Sequence, residues 1–182
     1  MDIFHKRKDL RLKNFDYSNN GYYSITICTK NRQNIFGEII NRGMVLNDMG
    51  DIVRNTWMDL PNHHANIQLD EFVVMPNHVH GIIIINNSVG NRPACSFIEC
   101  QKTNNLSIMI GSFKSTVSRK INKLNKSEFK WQKSFYDQII RTDESLDNIR
   151  KYIVDNPFNW DVDKNNIKNC SIEVQAGLNP TR

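Results

Sequence analysis

The chain reads IQLDEFVVMPNHVHGIIII over residues 67–85, and this stretch decides the predicted fold. It contains two apolar, β-branched runs, residues 67–75 and 78–85, which are separated by Pro76 and Asn77. Two such runs on either side of a short turn predict a pair of strands joined by a hairpin. The second run has apolar residues on both faces, so we expect it to lie at the centre of its sheet.

The elements around this hairpin follow from the same kind of pattern. Strands are indicated by aromatic and β-branched residues, and helices by apolar residues spaced three and four apart. The predicted elements are a strand over residues 22–29, a hairpin over 35–47, a helix from Asn47 or Asp48 to Pro61, a helix over 106–124, a short extended segment over 131–140, and a helix from Thr142 to Asn156 and Pro157.

This order of elements predicts an α+β fold, a ferredoxin-like (RRM-like) sandwich. Short hairpins imply antiparallel pairing, so we expect an antiparallel sheet of four to five strands with helices mainly on one face. No internal repeat or low-complexity linker divides the 182 residues. We therefore expect a single domain over residues 1–182, with a basic N-terminal arm over 1–20 and a C-terminal tail over 161–182.

Composition limits the class of protein without naming it. The formal net charge of +5 is compatible with a polyanionic partner, although many proteins without one carry a similar charge. No apolar run is long enough to span a bilayer, and the N-terminus lacks the apolar stretch of a signal peptide. We expect a cytoplasmic protein without a membrane partner. The four cysteines show no disulfide or zinc-site spacing, which predicts reduced thiols at Cys28, Cys95, Cys100 and Cys170.

The central strand carries two histidines, His78 and His80, separated by one residue. Alternate residues of a strand point to the same face, so the two imidazoles form half of a possible divalent metal site. A pair of hydrogen-bonded histidines without a metal would give the same pattern. An apolar strand nevertheless tolerates two adjacent polar rings poorly unless they have partners, and a metal ion would be such a partner.

Tyr152 and Asn156 lie four residues apart on the last predicted helix, and therefore on one helix face. If this helix packs over the sheet face that carries the histidines, a phenol and an amide oxygen reach the metal site together. The spacing alone also fits a half-buried helix tyrosine and a turn asparagine before Pro157.

Four motifs resemble one family in the same order along the chain. The segment Met75-Pro76-Asn77-His78-Val79-His80-Gly81 resembles the HUH motif of the single-tyrosine transposases of insertion sequences. It is still more similar to the motif of the REP-associated tyrosine transposases. The residues 111–115 (GSFKS), 131–137 (WQKSFYD) and 152–157 (YIVDNP) resemble that family as well. The resemblance covers residues 21–160, most of the chain.

The resemblance implies a metal-dependent enzyme that cuts and rejoins single-stranded DNA, with hairpin-forming repeats as the expected partner. It implies that His78, His80 and Asn156 bind Mg²⁺ or Mn²⁺ and that Tyr152 is the nucleophile, which forms a 5′-phosphotyrosine. Tyr136 is a rival nucleophile, but it lacks an asparagine one turn further on. Relatives from insertion sequences work as dimers, whereas REP-associated ones can act as monomers. We expect a monomer here.

The helix over residues 106–124 carries cations that are candidates for contacts with the DNA backbone, although a charged helix face is often only solvated. These candidates are Lys114, Arg119, Lys120 and Lys123. Three other functions stay open at this point. The chain could be a non-catalytic nucleic-acid-binding module, a phosphodiesterase that activates water, or a relative that binds DNA without cutting it.

Overall fold

The structure is a computed structural model that describes residues 16–87, 106–125 and 128–169. Its strands are β1 (Gly21–Cys28), β2 (Gly37–Ile40), β3 (Gly43–Leu46), β4 (Ile67–Met75), β5 (His78–Ile85) and β6 (Tyr136–Ile140). Four of these form one antiparallel sheet in the order β4-β5-β1-β6, and β2 pairs with β3 in a separate hairpin. This is the strand order of a ferredoxin-like sandwich, so the predicted fold class and the central position of β5 are confirmed.

The described residues contain the helices α1 (Asp48–Met58), α2 (Leu60–His63), α3 (Leu106–Asn125) and α4 (Asp143–Asp155). Two short 3-10 turns occur at Lys30–Arg32 and Trp160–Val162. In the described part of the chain, every helix is too short or too polar to cross a membrane.

The two faces of the sheet are covered by different helices. On one face, α1 and α3 pack over Ile25, Val79 and Ile83, and we call this the core face. On the opposite face, α4 packs over Ile82 and Ile140. This second face carries the histidines, and we call it the site face. Two of the three long helices therefore share one face, and the helix with the candidate tyrosine lies on the other.

The core face is closed by aromatic packing against a glycine of the central strand. Trp57 of α1 is fully buried, stacks on Phe72 with ring centroids 6.1 Å apart, and meets the edge of Phe113 at 5.3 Å. A Cβ atom at Gly81 would lie 2.5 Å from the indole ring, so only glycine lets the indole approach the strand this closely. The motif glycine therefore fixes α1 on the sheet.

The helix α1 begins where the sequence predicts but ends earlier. Asn47 caps α1, because its side chain accepts hydrogen bonds from the backbone N–H groups of Met49 and Gly50, both at 3.0 Å. The prediction that Pro61 ends this helix is wrong: α1 ends at Met58, and the proline lies in the first turn of α2, where a missing N–H costs nothing.

The sequence also predicts that α4 ends because Pro157 forces Asn156 out of the helical region, and this prediction is wrong as well. Asn156 precedes Pro157 but keeps helical backbone angles, φ −59° and ψ −42°, although the residue before a proline is usually pushed out of this region. Asn156 therefore stays in helical phase with Tyr152, one turn earlier.

Several predicted features lie partly or wholly outside the described residues. Cys95, Cys100 and Cys170 lie outside them, and so do the cations of the predicted arm, Lys6, Arg7, Lys8, Arg11 and Lys13. The described end of the arm, residues 16–20, includes Tyr17, which is buried and packs near Tyr23 with ring centroids 6.1 Å apart. Cys28 is a buried thiol.

Candidate metal centre and tyrosine

The two histidines lie side by side on the site face of β5. His78 and His80 are buried, and their ring centroids are 4.5 Å apart with the planes at 80°. Each Nδ1 atom has a partner in the protein: that of His78 meets Asn77 Oδ1 at 2.8 Å, and that of His80 meets Thr26 Oγ1 at 2.7 Å. The Nε2 atoms of both rings are therefore the ones left for a ligand.

Asn77 determines which nitrogen of His78 carries the proton. Its Nδ2 group donates to the backbone oxygens of Arg32 at 3.0 Å and Asn165 at 2.9 Å. Its Oδ1 atom is thus turned toward His78 as an acceptor, and this selects the tautomer with hydrogen on Nδ1. The Nε2 atom of His78 then carries a lone pair, as a metal ligand must.

The electrostatics of the site keep both rings neutral. Burial lowers the pKa of His78 well below its usual value, and the neighbouring His80 lowers it further. Burial also lowers the pKa of His80, to about 4. Both imidazoles are uncharged at pH 7, the form that binds a cation.

The helix α4 brings the predicted tyrosine and asparagine to this pair. The Tyr152 ring stands edge-on to His80 with centroids 5.3 Å apart, and 44% of the residue is exposed to solvent. Asn156 is buried one turn later. The condition that the sequence left open, packing of this helix over the histidine face, is met in the structure.

Asp163 is a residue of the site that the sequence did not reveal. Its Oδ2 atom accepts hydrogen bonds from Asn156 Nδ2 at 2.9 Å and from the Tyr152 hydroxyl at 3.4 Å. Its Oδ1 atom accepts from the backbone N–H of Asn165. Together with His78 and His80 it forms a buried group whose ligand atoms lie within 4.8 Å of one another. Asp163 falls in the segment predicted as a tail, and no periodic pattern marks it.

The donor atoms of this cluster fit a divalent cation. Within the described residues, His78 Nε2, His80 Nε2 and Asn156 Oδ1 are buried without a hydrogen-bond partner. Such atoms cost about 1–3 kcal/mol each, so their convergence requires an explanation. Two imidazole nitrogens and nearby side-chain oxygens form a set that could hold a metal ion. Asp163 differs from these three, because both of its oxygens already have partners.

The tyrosine hydroxyl is held in its protonated form by its surroundings. Burial raises the pKa of Tyr152 to about 12, and the Asp163 carboxylate adds to this effect. A positive charge beside the phenol would lower the pKa again. A cation bound at the histidines would therefore favour the phenolate form of Tyr152.

The predicted DNA-contacting cations lie on the other side of the sheet. They belong to α3, which packs on the core face. Lys114 is half-buried, and its ammonium group donates to the backbone oxygen of Gln132 at 2.6 Å. Lys120 donates to Thr56 Oγ1 at 3.3 Å, while Arg119 and Lys123 are exposed. A contact between these side chains and DNA stays a prediction.

The rival tyrosine, Tyr136, lies on the site face but outside the hydrogen-bonded cluster. It belongs to β6 and pairs with Thr26 of β1, which in turn pairs with His80. The residue is 48% exposed. The structure thus brings together His78, His80, Asn156 and Tyr152, and it leaves Tyr136 two strands away.

Fold and site together define an antiparallel α+β sandwich with a buried histidine pair beside a helix-borne tyrosine. This is the fold of the REP-associated tyrosine transposases. The solved structure of one of them, bound to a REP hairpin, matches with a TM-score of 0.57 over 93% of this chain and 88% of that chain. The two sequences are 16% identical, so the match establishes the fold.

The chain belongs to the same family as an uncharacterized protein of Haemophilus influenzae. The two are 37% identical over 167 residues, which cover 88% of this chain and 93% of that protein. No protein-family model matches the chain.

Proposed function

We propose that this protein is a metal-dependent enzyme that nicks and rejoins single-stranded DNA through a tyrosine-linked intermediate. The observation that carries the proposal is the position of Tyr152, edge-on to His80 and hydrogen-bonded to Asp163 beside three buried donor atoms. The fold is shared with a REP-associated tyrosine transposase bound to a REP hairpin. That likeness supports a hairpin-forming single strand as the substrate.

His78, His80 and Asn156 would hold Mg²⁺ or Mn²⁺. When bound, the ion would supply positive charge that stabilises the transition state of phosphoryl transfer. Asp163 acts as a positioning residue for this set. Because it accepts the Asn156 Nδ2 hydrogen bond, the amide oxygen of Asn156 is turned toward the centre.

In the cleavage step, the Tyr152 oxygen forms a bond to the phosphorus and the bond from phosphorus to the 3′-oxygen breaks. The phenol proton passes to Asp163 Oδ2, its hydrogen-bond acceptor, and a proton from solvent completes the 3′-hydroxyl. The product is a 5′-phosphotyrosine and a free 3′-hydroxyl. In the rejoining step, a 3′-hydroxyl attacks the same phosphorus and gives its proton to solvent, while the Tyr152 oxygen leaves and takes back the proton held by Asp163 Oδ2. The covalent bond conserves the energy of the phosphodiester, so no ATP is needed.

The test is incubation of the full chain with labelled single-stranded hairpin oligonucleotides and Mn²⁺, followed by a denaturing gel. The wild type should give a slowly migrating protein–DNA adduct that EDTA prevents. Tyr152→Phe should give none, because the nucleophilic oxygen is missing. Tyr136→Phe is the matched control, since it removes the same atom from the other site-face tyrosine, and it should form the adduct normally.

Other outcomes identify the competing functions. An adduct lost in Tyr136→Phe and kept in Tyr152→Phe would make Tyr136 the nucleophile. Cleavage without an adduct would favour activated water, and binding without cleavage over a broad oligonucleotide set would indicate a DNA-binding module.

We also propose that one chain is sufficient for the reaction. Tyr152 reaches His80 within a single chain, with ring centroids 5.3 Å apart, so the nucleophile and the metal ligands need no exchange of helices. Mixing Tyr152→Phe with His80→Ala should therefore not restore adduct formation. Recovery of the adduct in the mixture would show that α4 is exchanged between two chains.

A further inference from the structure

A groove opens on the site face directly beside the metal centre. Its volume is about 330 Å³, and it lies between β1, β6 and the segment that follows Asp163. One of its walls is Thr26, the residue that also holds the His80 ring by a 2.7 Å hydrogen bond. The proposed reaction leaves the groove unused.

The position of the groove follows from the strand register. Tyr136, Thr26 and His80 are paired in a row across β6, β1 and β5. Neighbouring strands are about 4.8 Å apart, so Tyr136 lies about 10 Å from His80 across the sheet. A DNA strand whose phosphate lies at the histidines would place its adjacent nucleotide over this row.

The groove combines an aromatic side chain with two cations and one carboxylate, Asp137. Tyr136 is 48% exposed on a sheet face, where an aromatic ring serves as a platform for stacking a base. Arg32 and Lys164 line the same groove, and the Arg32 guanidinium donates to the backbone oxygen of Lys164 at 2.8 Å.

We infer that this groove binds the single-stranded nucleotide next to the scissile phosphate, with Tyr136 stacking on the base and Arg32 and Lys164 contacting the backbone. The inference rests on the proposed function and assigns Tyr136 to substrate binding. The volume of about 330 Å³ lies at the lower end of the range for ligand pockets, which run from about 300 to 1,000 Å³. The amide of Gln138 and the hydroxyl of Ser24, which also line the groove, offer hydrogen bonds to a base or sugar.

The stacking contact is tested by binding in EDTA, where no cleavage occurs. Fluorescein-labelled oligodeoxythymidine is compared with an abasic strand of the same length, which has phosphates but no bases. Tyr136→Ala should weaken binding of oligodeoxythymidine about tenfold, the expected value of one stacked base. It should leave binding of the abasic strand unchanged. Tyr136→Phe keeps the ring and should bind both strands like the wild type.

The backbone contact is tested by the salt dependence of the same binding. Loss of one phosphate contact to a single strand makes the plot of the logarithm of the binding constant against the logarithm of the salt concentration less steep, by about 0.7. Lys164→Gln should show this decrease on both strands. Arg54→Gln is the matched control, because this exposed cation of α1 pairs with Asp51 on the opposite side of the sheet, and its slope should not change.

The outcomes separate this inference from the proposed function. If the wild type forms the Tyr152 adduct but Tyr136→Ala binds oligodeoxythymidine as tightly as the wild type does, the groove assignment is wrong and the function stands. An equal loss on both strands would also overturn the stacking role. If the stacking effect appears but no hairpin oligonucleotide gives an adduct, the proposed reaction is the part that fails.

Discussion

The two faces of β5 differ in the polarity and the hydrogen bonding of their buried side chains. On the core face, Val79 and Ile83 are buried in a continuous apolar cluster under α1 and α3. On the site face, His78 and His80 are as deeply buried, yet the Nε2 atoms of both have no hydrogen-bond partner in the described residues. Both faces come from one strand, because alternate side chains point in opposite directions. Neighbouring residues of one strand therefore pack in an apolar core on one side and in a polar cluster on the other.

Burial alone does not make a side chain stabilising. Apolar burial on the core face contributes about 25 cal/mol per Å² to stability. A buried polar atom without a partner opposes folding, so the site-face cluster gives up part of that gain. Proteins usually depart from consistent packing at functional sites. The departure at His78, His80 and Asn156 is the physical reason to propose a ligand there.

The largest effect is expected from a change at one histidine compared with its neighbour on the other face. His80→Ala removes a proposed ligand, so affinity for Mn²⁺ should fall by more than the roughly 10- to 100-fold that a lost outer partner costs. Val79→Ala should instead lower the free energy of unfolding by about 1–3 kcal/mol through lost packing and leave the affinity of the folded protein unchanged. Titration of Mn²⁺ followed by electron paramagnetic resonance, and urea unfolding in EDTA, measure the two quantities.

Two outcomes of these measurements would contradict the prediction. Equal Mn²⁺ affinity in His80→Ala and the wild type would show that the histidine pair is a hydrogen-bonded structural pair. A loss of Mn²⁺ affinity in folded Val79→Ala would show that the two faces are coupled.

A second expectation concerns the core face alone. Gly81→Ala places a Cβ atom 2.5 Å from the Trp57 ring and 3.0 Å from Phe72 Cβ, and overpacking of this kind destabilises by about 1–3 kcal/mol. Gly111→Ala is the matched control, because a Cβ at this position of α3 meets nothing within 4 Å among the described residues. It should stabilise the helix by about 0.5–1 kcal/mol. Thermal unfolding of the two variants beside the wild type measures both changes, and equal melting temperatures would contradict the packing argument.

The third prediction concerns the hydrogen bond that orients the His80 ring on the site face. Thr26→Val keeps the volume of the side chain but removes the oxygen that meets His80 Nδ1 at 2.7 Å. Loss of a partner that orients a ligand should weaken Mn²⁺ binding about tenfold, at the lower end of such effects. Thr56→Val removes the hydroxyl that Lys120 contacts on the other side of the sheet, and it should leave Mn²⁺ affinity unchanged. Calorimetric titration of both variants would contradict the orienting role of Thr26 if their affinities were the same.

The features that the sequence predicted correctly are those that depend only on residues close together in the chain. The hairpin of β4 and β5 and the cap at Asn47 follow from residues that are neighbours in the chain. The shared face of His78 and His80 needs only the period of a strand. The shared face of Tyr152 and Asn156 needs only the period of a helix, and it survives because Asn156 stays helical before Pro157.

The rest of the site depends on contacts between distant segments. Asp163 reaches the centre through the 3-10 turn at Trp160–Val162 and hydrogen bonds to α4, and this part of the chain carries no periodic pattern. Asn77 looked like a turn residue, yet its side chain is fixed by backbone oxygens 45 and 88 residues away. Lys114 also shows such a contact, because its ammonium group donates to backbone oxygens of residues 132–134, and no pattern within its own helix indicates this.

The smallest effect is expected where α4 is attached to the sheet. Arg150 of this helix donates to both carboxylate oxygens of Asp70 on β4, at 3.0 and 2.6 Å, and these hydrogen bonds lower the pKa of Asp70. A carboxyl whose pKa is lower in the folded state stabilises the protein above its unfolded pKa of about 3.9, and this contribution is lost as the pH falls through the folded value. Asp70→Asn should therefore melt at a slightly lower temperature than the wild type at pH 7, and the difference should narrow below about pH 4.

Asp51→Asn, which breaks the exposed pair with Arg54 on α1, should show a smaller change, since exposed pairs contribute little. A difference for Asp70→Asn that stays constant from pH 7 to about pH 3 would show that the Arg150 pair does not hold α4 on the site face by charge.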